Sequence, residues 1–286
     1  MPAVLCLPNN ITNPPVVILL AGSGPNDKDE TAGPNRPLKD IALGLASNGI
    51  ASLRYDKRTM TYGSKLDINK TGLEEEVIED ALSAIKLLRA NAITKESKIF
   101  ISGHSLSAMC APWIASKSKD ISGVIMLAGP ARPLEDLVLE QFTYLASLDT
   151  SIKDATKELA PIKAQVALVK DAKALKKAEA KDLPLGAPSY YWQSIKKYDQ
   201  IKTAKKIKQP MLILNGERDY QVTIVDFNIW KKELGADPKN KFKSYEKLNH
   251  LFIKGEGKPN PEEYDNSGNV DQKVILDIVE FVKSVK

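Results

Sequence analysis

Residues 98–115 constrain the fold of this chain more than any other part of the sequence. An apolar run of strand length enters a tight turn in which small residues flank Ser105. The turn leads at once into an alanine-rich segment whose apolar residues have helical spacing. A strand, a sharp turn with serine at its apex and a helix are typical of a nucleophile elbow, which lifts one hydroxyl clear of the sheet. The alternative is an ordinary loop whose serine caps the helix.

The rest of the chain alternates between strand-like and helix-like segments. Apolar runs of strand length recur at residues 16–21, 50–55, 123–129 and 210–214, and a short last strand is predicted at residues 241–246. Segments with helical spacing separate or follow them, at residues 37–48, 73–92, 222–234 and 272–285. This rhythm predicts an α/β fold with a mostly parallel central sheet flanked by helices.

The alternation stops at Pro130, and no convincing strand follows until about residue 206. Helical spacing is found at residues 134–148 and again in the Lys/Ala-rich stretch 152–181. We therefore expect a core domain of residues 1–130 and 207–286 and a helical lid of residues 131–206. A helix that pairs with a coiled-coil partner is the alternative interpretation of the lysine-rich stretch.

Composition excludes several classes of protein. With 43% hydrophobic and 27% charged residues, the chain resembles an ordinary soluble globular protein, and no apolar run approaches the roughly 20 residues of a membrane span. The net charge of +5 comes from lysines spread along the chain, whereas nucleic-acid binding favours arginines and aromatics on one face. Cys6 and Cys110 make no metal motif, and we expect them to be reduced and buried.

The compartment and the oligomeric state stay open. The N-terminus has no signal-peptide pattern and begins almost inside a strand-like segment, which is compatible with a missing leader or leading domain. A cytoplasmic protein and an exported one fit the sequence equally, as do a monomer and a homodimer.

Three chemically suited residues follow the carboxyl ends of predicted strands: Ser105, Asp219 and His250. Ligands bind at this edge of open α/β sheets. A serine needs an imidazole to take its proton, and the imidazole needs a carboxylate to fix its tautomer. Of the two histidines, His104 lies on the elbow itself, where its side chain points away from Ser105. His250 is therefore the expected base, and His104 a packing or supporting residue.

The acid and the oxyanion donors are less sharply defined. Asp219 is favoured as the acid because it directly follows Asn-Gly-Glu-Arg, and it competes with three other carboxylates: Glu217, Asp226 and Asp237. An oxyanion hole needs two positioned donors. We expect one from the N–H of Leu106 and the other from the glycine turn, residues 22–25, through Ser23 or else Gly24.

These motifs resemble the α/β-hydrolase superfamily, in particular the bacterial dienelactone-hydrolase-like and serine-aminopeptidase-like esterases. The matching segments span nearly the whole chain, at residues 22–30, 53–59, 103–106, 215–222 and 248–250. The resemblance implies an α/β-hydrolase fold with a helical lid and hydrolysis of carboxylic esters, including short acyl esters and acetylated or feruloylated carbohydrate. It implies no metal and no organic cofactor.

The chain departs from the family pattern at two positions. The family often has His-Gly at the oxyanion turn, whereas this chain has Ala21-Gly22. The family's elbow often reads Gly-x-Ser-x-Gly, whereas this chain has Ser107 at the last position. A serine nucleophile also differs from true dienelactone hydrolases, which use cysteine.

We therefore predict a serine esterase with a small-molecule ester as its partner. Weaker candidates for shaping the pocket are Gly24, Lys57, Tyr190, Tyr191, Trp192, Tyr220 and Gln221. The alternatives are a peptidase or amidase with the same triad and a non-catalytic binding protein. A peptidase would need acidic residues to hold a free amine, for which the lid offers Glu135, Asp136 and Glu140.

Overall fold

Seven strands form a single sheet in the computed structural model, which describes residues 1–286. The strands are β1 (Ala3–Cys6), β2 (Val16–Leu20), β3 (Ala51–Tyr55), β4 (Ile99–His104), β5 (Ile121–Leu127), β6 (Met211–Gly216) and β7 (Lys241–Tyr245). Their spatial order is β1-β3-β2-β4-β5-β6-β7. Only β1 is antiparallel to its neighbour, and every other pair is parallel. The predicted α/β fold with a mostly parallel sheet is confirmed.

The central strands are buried on both faces because helices cover each side of the sheet. Every residue of β2 and β4 is buried. Along β2, Val16 and Ile18 face one apolar core, whereas Val17 and Leu19 face the other. This arrangement explains why these strands are continuous apolar runs rather than alternating patterns.

Twelve α-helices surround the sheet. They are α1 (Pro37–Ser47), α2 (Arg58–Tyr62), α3 (Glu79–Ala90), α4 (Leu106–Lys117), α5 (Leu134–Leu148), α6 (Ala155–Glu158), α7 (Ala160–Lys170), α8 (Ala172–Leu175), α9 (Ser189–Lys197), α10 (Gln200–Ala204), α11 (Ile224–Leu234) and α12 (Gln272–Ser284). A π-helical turn, Glu74–Ile78, leads into α3. No helix combines the length and the apolar composition that crossing a membrane requires.

Six of these helices, α5 to α10, lie between β5 and β6, where the sequence predicts no strand. The helix predicted for residues 134–148 is confirmed by α5. The helical character predicted for residues 152–181 is confirmed, and the stretch divides into α6, α7 and α8. The break between α7 and α8 occurs at Asp171, whose backbone is extended and whose carboxylate caps α8 by accepting the N–H groups of Lys173 and Ala174.

Both cysteines are free, and Cys110 is buried as expected, whereas Cys6 on the edge strand β1 is only partly buried. The parallel strands β2, β4, β6 and β7 all end at the same edge of the sheet. The loops that follow them carry the glycine turn, Ser105, Asp219 and His250 respectively. This edge is where α/β sheets bind ligands.

Candidate active site

Ser105 occupies a strained turn between β4 and α4. Its backbone has φ 51° and ψ −119°, a region that residues with a Cβ rarely adopt and that costs about 1–3 kcal/mol. Its N–H donates to the Leu127 carbonyl at 2.9 Å, which ties the turn to the neighbouring strand. The Ser105 side chain makes no capping hydrogen bond to α4. The alternative of an ordinary helix-capping serine therefore does not describe this turn.

The elbow requires a glycine at position 103. A Cβ on Gly103 would lie 2.2 Å from the carbonyl oxygen of Ser107, far inside van der Waals contact. Strand and helix can approach this closely only because position 103 has no side chain.

His250 and Asp219 form a buried pair. The Nδ1 atom of His250 lies 2.6 Å from Oδ2 of Asp219. The other carboxylate oxygen of Asp219 accepts the backbone N–H groups of Gln221 at 2.7 Å and Val222 at 2.9 Å. Because the Nδ1–H group donates its hydrogen bond to Asp219, Nε2 of the neutral ring is left as a proton acceptor.

Ser105 and His250 line the same small cavity, the Ser105 cavity, which has a volume of about 160 Å³. Gln221, Tyr264 and Ser23 also contribute to its wall. The structure therefore brings two of the predicted triad residues to one cavity and places the third against His250. Two larger grooves, of about 920 and 860 Å³, contain none of these three residues. The candidate active site is therefore not the largest groove of the protein.

The three competing carboxylates have other partners. Glu217 accepts a hydrogen bond from the hydroxyl of Ser244 at 2.7 Å. Asp226 accepts the N–H of Ala131 and pairs with Arg132, and Asp237 pairs with Lys239. Only Asp219 contacts the imidazole of His250 through its carboxylate.

The glycine turn packs directly against the elbow. A Cβ on Gly22 would lie 3.1 Å from Cβ of Ser105. The N–H of Gly22 is already donated to Oε1 of Glu30 at 2.6 Å, so it is not free to bind a substrate oxygen. Ser23, the next residue, lines the Ser105 cavity, and the N–H of Leu106 lies in the first turn of α4, where amides lack helical partners. Gly24 lines a neighbouring cavity instead.

A second histidine–carboxylate pair supports this turn. His104 contacts Oε1 of Glu30 through Nδ1 at 2.8 Å and the carbonyl oxygen of His250 through Nε2 at 2.9 Å. Burial would lower the pKa of His104, but the Glu30 carboxylate and the His250 carbonyl raise it overall. Burial would raise the pKa of Glu30, but His104 and the Gly22 N–H lower it overall. The pair therefore favours an imidazolium beside a carboxylate.

Lys57 holds the glycine turn from behind. Its Nζ donates to the Gly22 carbonyl at 2.7 Å and forms an ion pair with Glu76. Lys57 is only 4% exposed and lines neither the Ser105 cavity nor its neighbour. The prediction that Lys57 shapes the pocket is therefore corrected: Lys57 is a buried support of the glycine turn.

The aromatic cluster of the insertion separates into three environments. Trp192 is fully buried in the core, and Tyr190, 39% exposed, lies in an outer groove beside Glu75. Neither lines a cavity near Ser105, in contrast to the prediction that they shape the pocket. Tyr191 does line the cavity next to the Ser105 cavity.

Tyr220 and Gln221 differ in their access to the site. Tyr220 is buried between two other tyrosine rings, 5.3 Å from the ring of Tyr144 and 6.2 Å from that of Tyr264. Gln221 lines the Ser105 cavity and donates to the Tyr264 hydroxyl at 2.9 Å. Tyr220 therefore packs behind the cavity wall that Gln221 and Tyr264 form.

The neighbouring space, here the apolar cavity, has a volume of about 410 Å³ and a mostly apolar exposed lining. Its wall combines Ser23–Pro25 of the glycine turn, residues from the loop after β3, and Leu185 and Tyr191 of the insertion. Ser23 lines both cavities, so they meet at the glycine turn.

Sequence reasoning missed the supporting residues Glu30, Glu76 and Tyr264. Glu30 lies within the family-like segment after β2, which was the one signal of its importance. No group of three or more His, Cys, Asp or Glu side chains is arranged to hold a metal ion.

Comparison with known proteins places the chain among hydrolases. A family model described as serine aminopeptidase, S33, matches residues 36–256. Esterase EstD of Thermotoga maritima is 43% identical over 287 residues, covering 96% of this chain and 65% of EstD. The chain thus spans less than two thirds of the length of this relative.

Solved structures share the fold at low identity. Est1E from Butyrivibrio proteoclasticus, with ferulic acid bound, has a TM-score of 0.64 and 15% identity, covering 99% of this chain and 94% of that one. A puromycin-hydrolysing peptidase of Mycobacterium tuberculosis has a TM-score of 0.62 and 13% identity, covering 99% of this chain and 37% of that one.

Proposed function

The chain belongs to the serine aminopeptidase S33 family of α/β-hydrolases, and from that premise we propose that it is a serine esterase working through an acyl-enzyme. The observation that carries the proposal is the pairing of His250 with Asp219 at 2.6 Å beside a cavity that Ser105 also lines. The 43% identity to esterase EstD supports ester hydrolysis as the reaction.

Acylation begins with the Ser105 hydroxyl. Its oxygen attacks the ester carbonyl carbon while its proton passes to Nε2 of His250. Asp219 stabilises the imidazolium that forms, and its two backbone hydrogen bonds keep the carboxylate in place. The N–H groups of Ser23 and Leu106 donate hydrogen bonds to the carbonyl oxygen and stabilise the negative charge that develops on it.

Release and deacylation use the same residues. His250 gives its proton to the leaving alcohol oxygen as the carbon–oxygen bond breaks, which leaves the acyl group on Ser105. A water molecule then loses a proton to His250 and attacks the acyl carbon, and the returning proton restores the Ser105 hydroxyl as the acid departs. Every proton transfer runs through His250, so these steps need no metal or organic cofactor.

The insertion between β5 and β6 acts in this proposal as a lid of residues 131–206 over a core of residues 1–130 and 207–286. Leu185 and Tyr191 support this role, because they close the apolar cavity from the insertion side while the glycine turn closes it from the core. Short-chain acyl esters, including those carried by carbohydrate, are the substrate class that we propose.

A peptidase that grips a free amine has less support. The three acidic residues that the lid offers for this role already have cationic partners: Glu135 with Lys196, Asp136 with Lys170 and Glu140 with Arg132. An ammonium group would have to displace one of these partners. The ester is therefore the favoured substrate class.

Hydrolysis of p-nitrophenyl acetate, compared with that of an aminoacyl p-nitroanilide, tests the proposal. We expect the acetate to be turned over faster, and we expect Ser105→Ala to abolish the activity. A fluorophosphonate probe should label Ser105 in the folded wild type. Equal hydrolysis by wild type and Ser105→Ala would overturn the assigned nucleophile, and absence of both labelling and turnover would favour a binding protein.

A further inference from the structure

A buried carboxylate lines the mostly apolar cavity beside the glycine turn. The side chain of Glu76 is 5% exposed and belongs to the wall of the apolar cavity. Acidic residues are rarely buried without a specific partner, and this one pairs with Lys57. The apolar cavity thus contains one strong hydrogen-bond acceptor among apolar surfaces.

The reaction geometry directs the acyl chain toward this carboxylate. His250 must reach the leaving alcohol, and it lines the Ser105 cavity but not the apolar cavity. The oxyanion points at Ser23, which stands where the two cavities meet. With the alcohol on the His250 side, the remaining substituent of the carbonyl carbon, the acyl chain, extends past Ser23 into the apolar cavity.

The charge of the pair selects the kind of group that Glu76 can accept. Lys57 already balances the negative charge of Glu76, and both side chains are almost fully buried. An ammonium would add an uncompensated positive charge at this depth, which is costly. A hydroxyl adds no charge and gives the carboxylate a further hydrogen bond.

We infer that the apolar cavity binds an acyl chain with a hydroxyl group at its far end, which donates a hydrogen bond to Glu76. This inference rests on the proposed esterase function and names its substrate class. Tyr191 adds a second polar group near the same carboxylate. Burial, followed by the charge of Glu76, raises the pKa of Tyr191 well above its usual value, so its hydroxyl stays protonated.

Matched p-nitrophenyl esters test the inference on the wild-type enzyme. The three substrates are the heptanoate, the 6-hydroxyhexanoate and the 6-aminohexanoate, which have equal numbers of heavy atoms in the acyl chain and differ only in the terminal group. We expect kcat/KM for the hydroxyl ester to exceed that for the methyl-ended ester by about tenfold or more, as for a hydrogen bond to a charged group. The ammonium ester should be the poorest of the three.

Two variants then locate the preference. In Glu76→Gln, and in the double variant Lys57→Met/Glu76→Leu, which removes both charges together, the ratio of kcat/KM between hydroxyl and methyl esters should fall toward one. Glu74→Gln is the matched control, because Glu74 is exposed two residues away and does not line the apolar cavity. The ratio is compared within each variant, so a general change in activity does not affect it.

The outcomes separate this inference from the proposed function. Wild-type hydrolysis of p-nitrophenyl acetate with no hydroxyl preference, or with a preference for the ammonium ester, would overturn the inference and leave the esterase standing. A hydroxyl preference that persists in both Glu76 variants would overturn the role of Glu76. An enzyme inert toward every ester, including the acetate, would overturn both.

Discussion

The hydroxyl of Ser107 donates a 2.5 Å hydrogen bond to the carbonyl oxygen of Ala21. These two residues are the positions at which the chain departs from its family pattern, and they lie 86 residues apart in sequence. The family's usual elbow glycine has no side chain to make this contact. The serine at 107 therefore ties the elbow to the residue that precedes the glycine turn, a contact that a glycine at 107 could not make.

Replacing Ser107 tests this relationship. We expect Ser107→Ala to lower kcat for p-nitrophenyl acetate by about tenfold with little change in KM, because the turn carrying Ser23 loses an anchor. Stability should fall by about 1–3 kcal/mol, since the Ala21 carbonyl is left buried without its donor. Steady-state kinetics and urea unfolding measure the two effects.

Ser116→Ala is the matched control. Ser116 is likewise a serine of α4 whose hydroxyl donates to a backbone carbonyl, but its acceptor is Trp113 of the same helix and the bond is exposed. Wild-type kinetics in Ser107→Ala would show that the hydrogen bond does not position the turn.

Asp219 should govern the activity of His250. In Asp219→Asn the amide can donate to Nδ1, which moves the imidazole proton to Nε2 and removes the acceptor for the Ser105 proton. We expect kcat to fall by about 10⁴, as for the corresponding change in other triads. Glu217→Gln is the control, since Glu217 bonds Ser244 instead, and its kcat should match wild type. Similar losses in both variants would reassign the acid.

The sequence alone predicted the parallel sheet and the edge that carries the site, because both depend on local patterns of residues. Buried parallel strands are continuous apolar runs, and their carboxyl ends must share one edge of the sheet, so residues that follow β4, β6 and β7 are brought near one another. The elbow was equally visible, since Gly103 and Ser105 lie within one short motif. Neither conclusion needs knowledge of a distant contact.

The wrong or missed predictions concern two kinds of contact. Some join residues far apart in the sequence, and others depend on which way neighbouring side chains of one helix point. Successive side chains on α9 point about 100° apart, so Tyr190, Tyr191 and Trp192 face an outer groove, a cavity and the core. Lys57 is buried because Glu76 meets it from the turn before α3. Glu30 reaches His104 across 74 residues, and no local pattern indicates that pairing.

The coupling free energy between Glu30 and His104 should weaken both as the pH falls and as it rises. Glu30 has its pKa lowered from 4.5, so its contribution to stability is present above that pH and is lost as the pH falls through its folded value. His104 has its pKa raised from 6.5, so its contribution is complete below that pH and is lost as the pH rises through its folded value. The pair should therefore stabilise the fold most between pH 4.5 and 6.5.

A double-mutant cycle with Glu30→Gln and His104→Gln measures this coupling by urea unfolding at pH 4, 5.5 and 9. We expect the largest coupling free energy at pH 5.5 and smaller values at both extremes. A coupling that is constant across this range would mean that the pair does not hold an imidazolium and a carboxylate.

The steric demand of the elbow gives the sharpest test of its geometry. In Gly103→Ala the new methyl group would meet the Ser107 carbonyl oxygen at 2.2 Å, so strand and helix must separate. We expect a loss of about 2 kcal/mol or more in the free energy of unfolding and a much slower reaction of Ser105 with a fluorophosphonate. Gly63→Ala is the matched control for stability, because a Cβ there meets no atom within 4 Å and its backbone is right-handed helical. Stability equal to that of Gly63→Ala, with labelling at the wild-type rate, would mean that the close approach at Gly103 is not what holds Ser105 in its strained conformation.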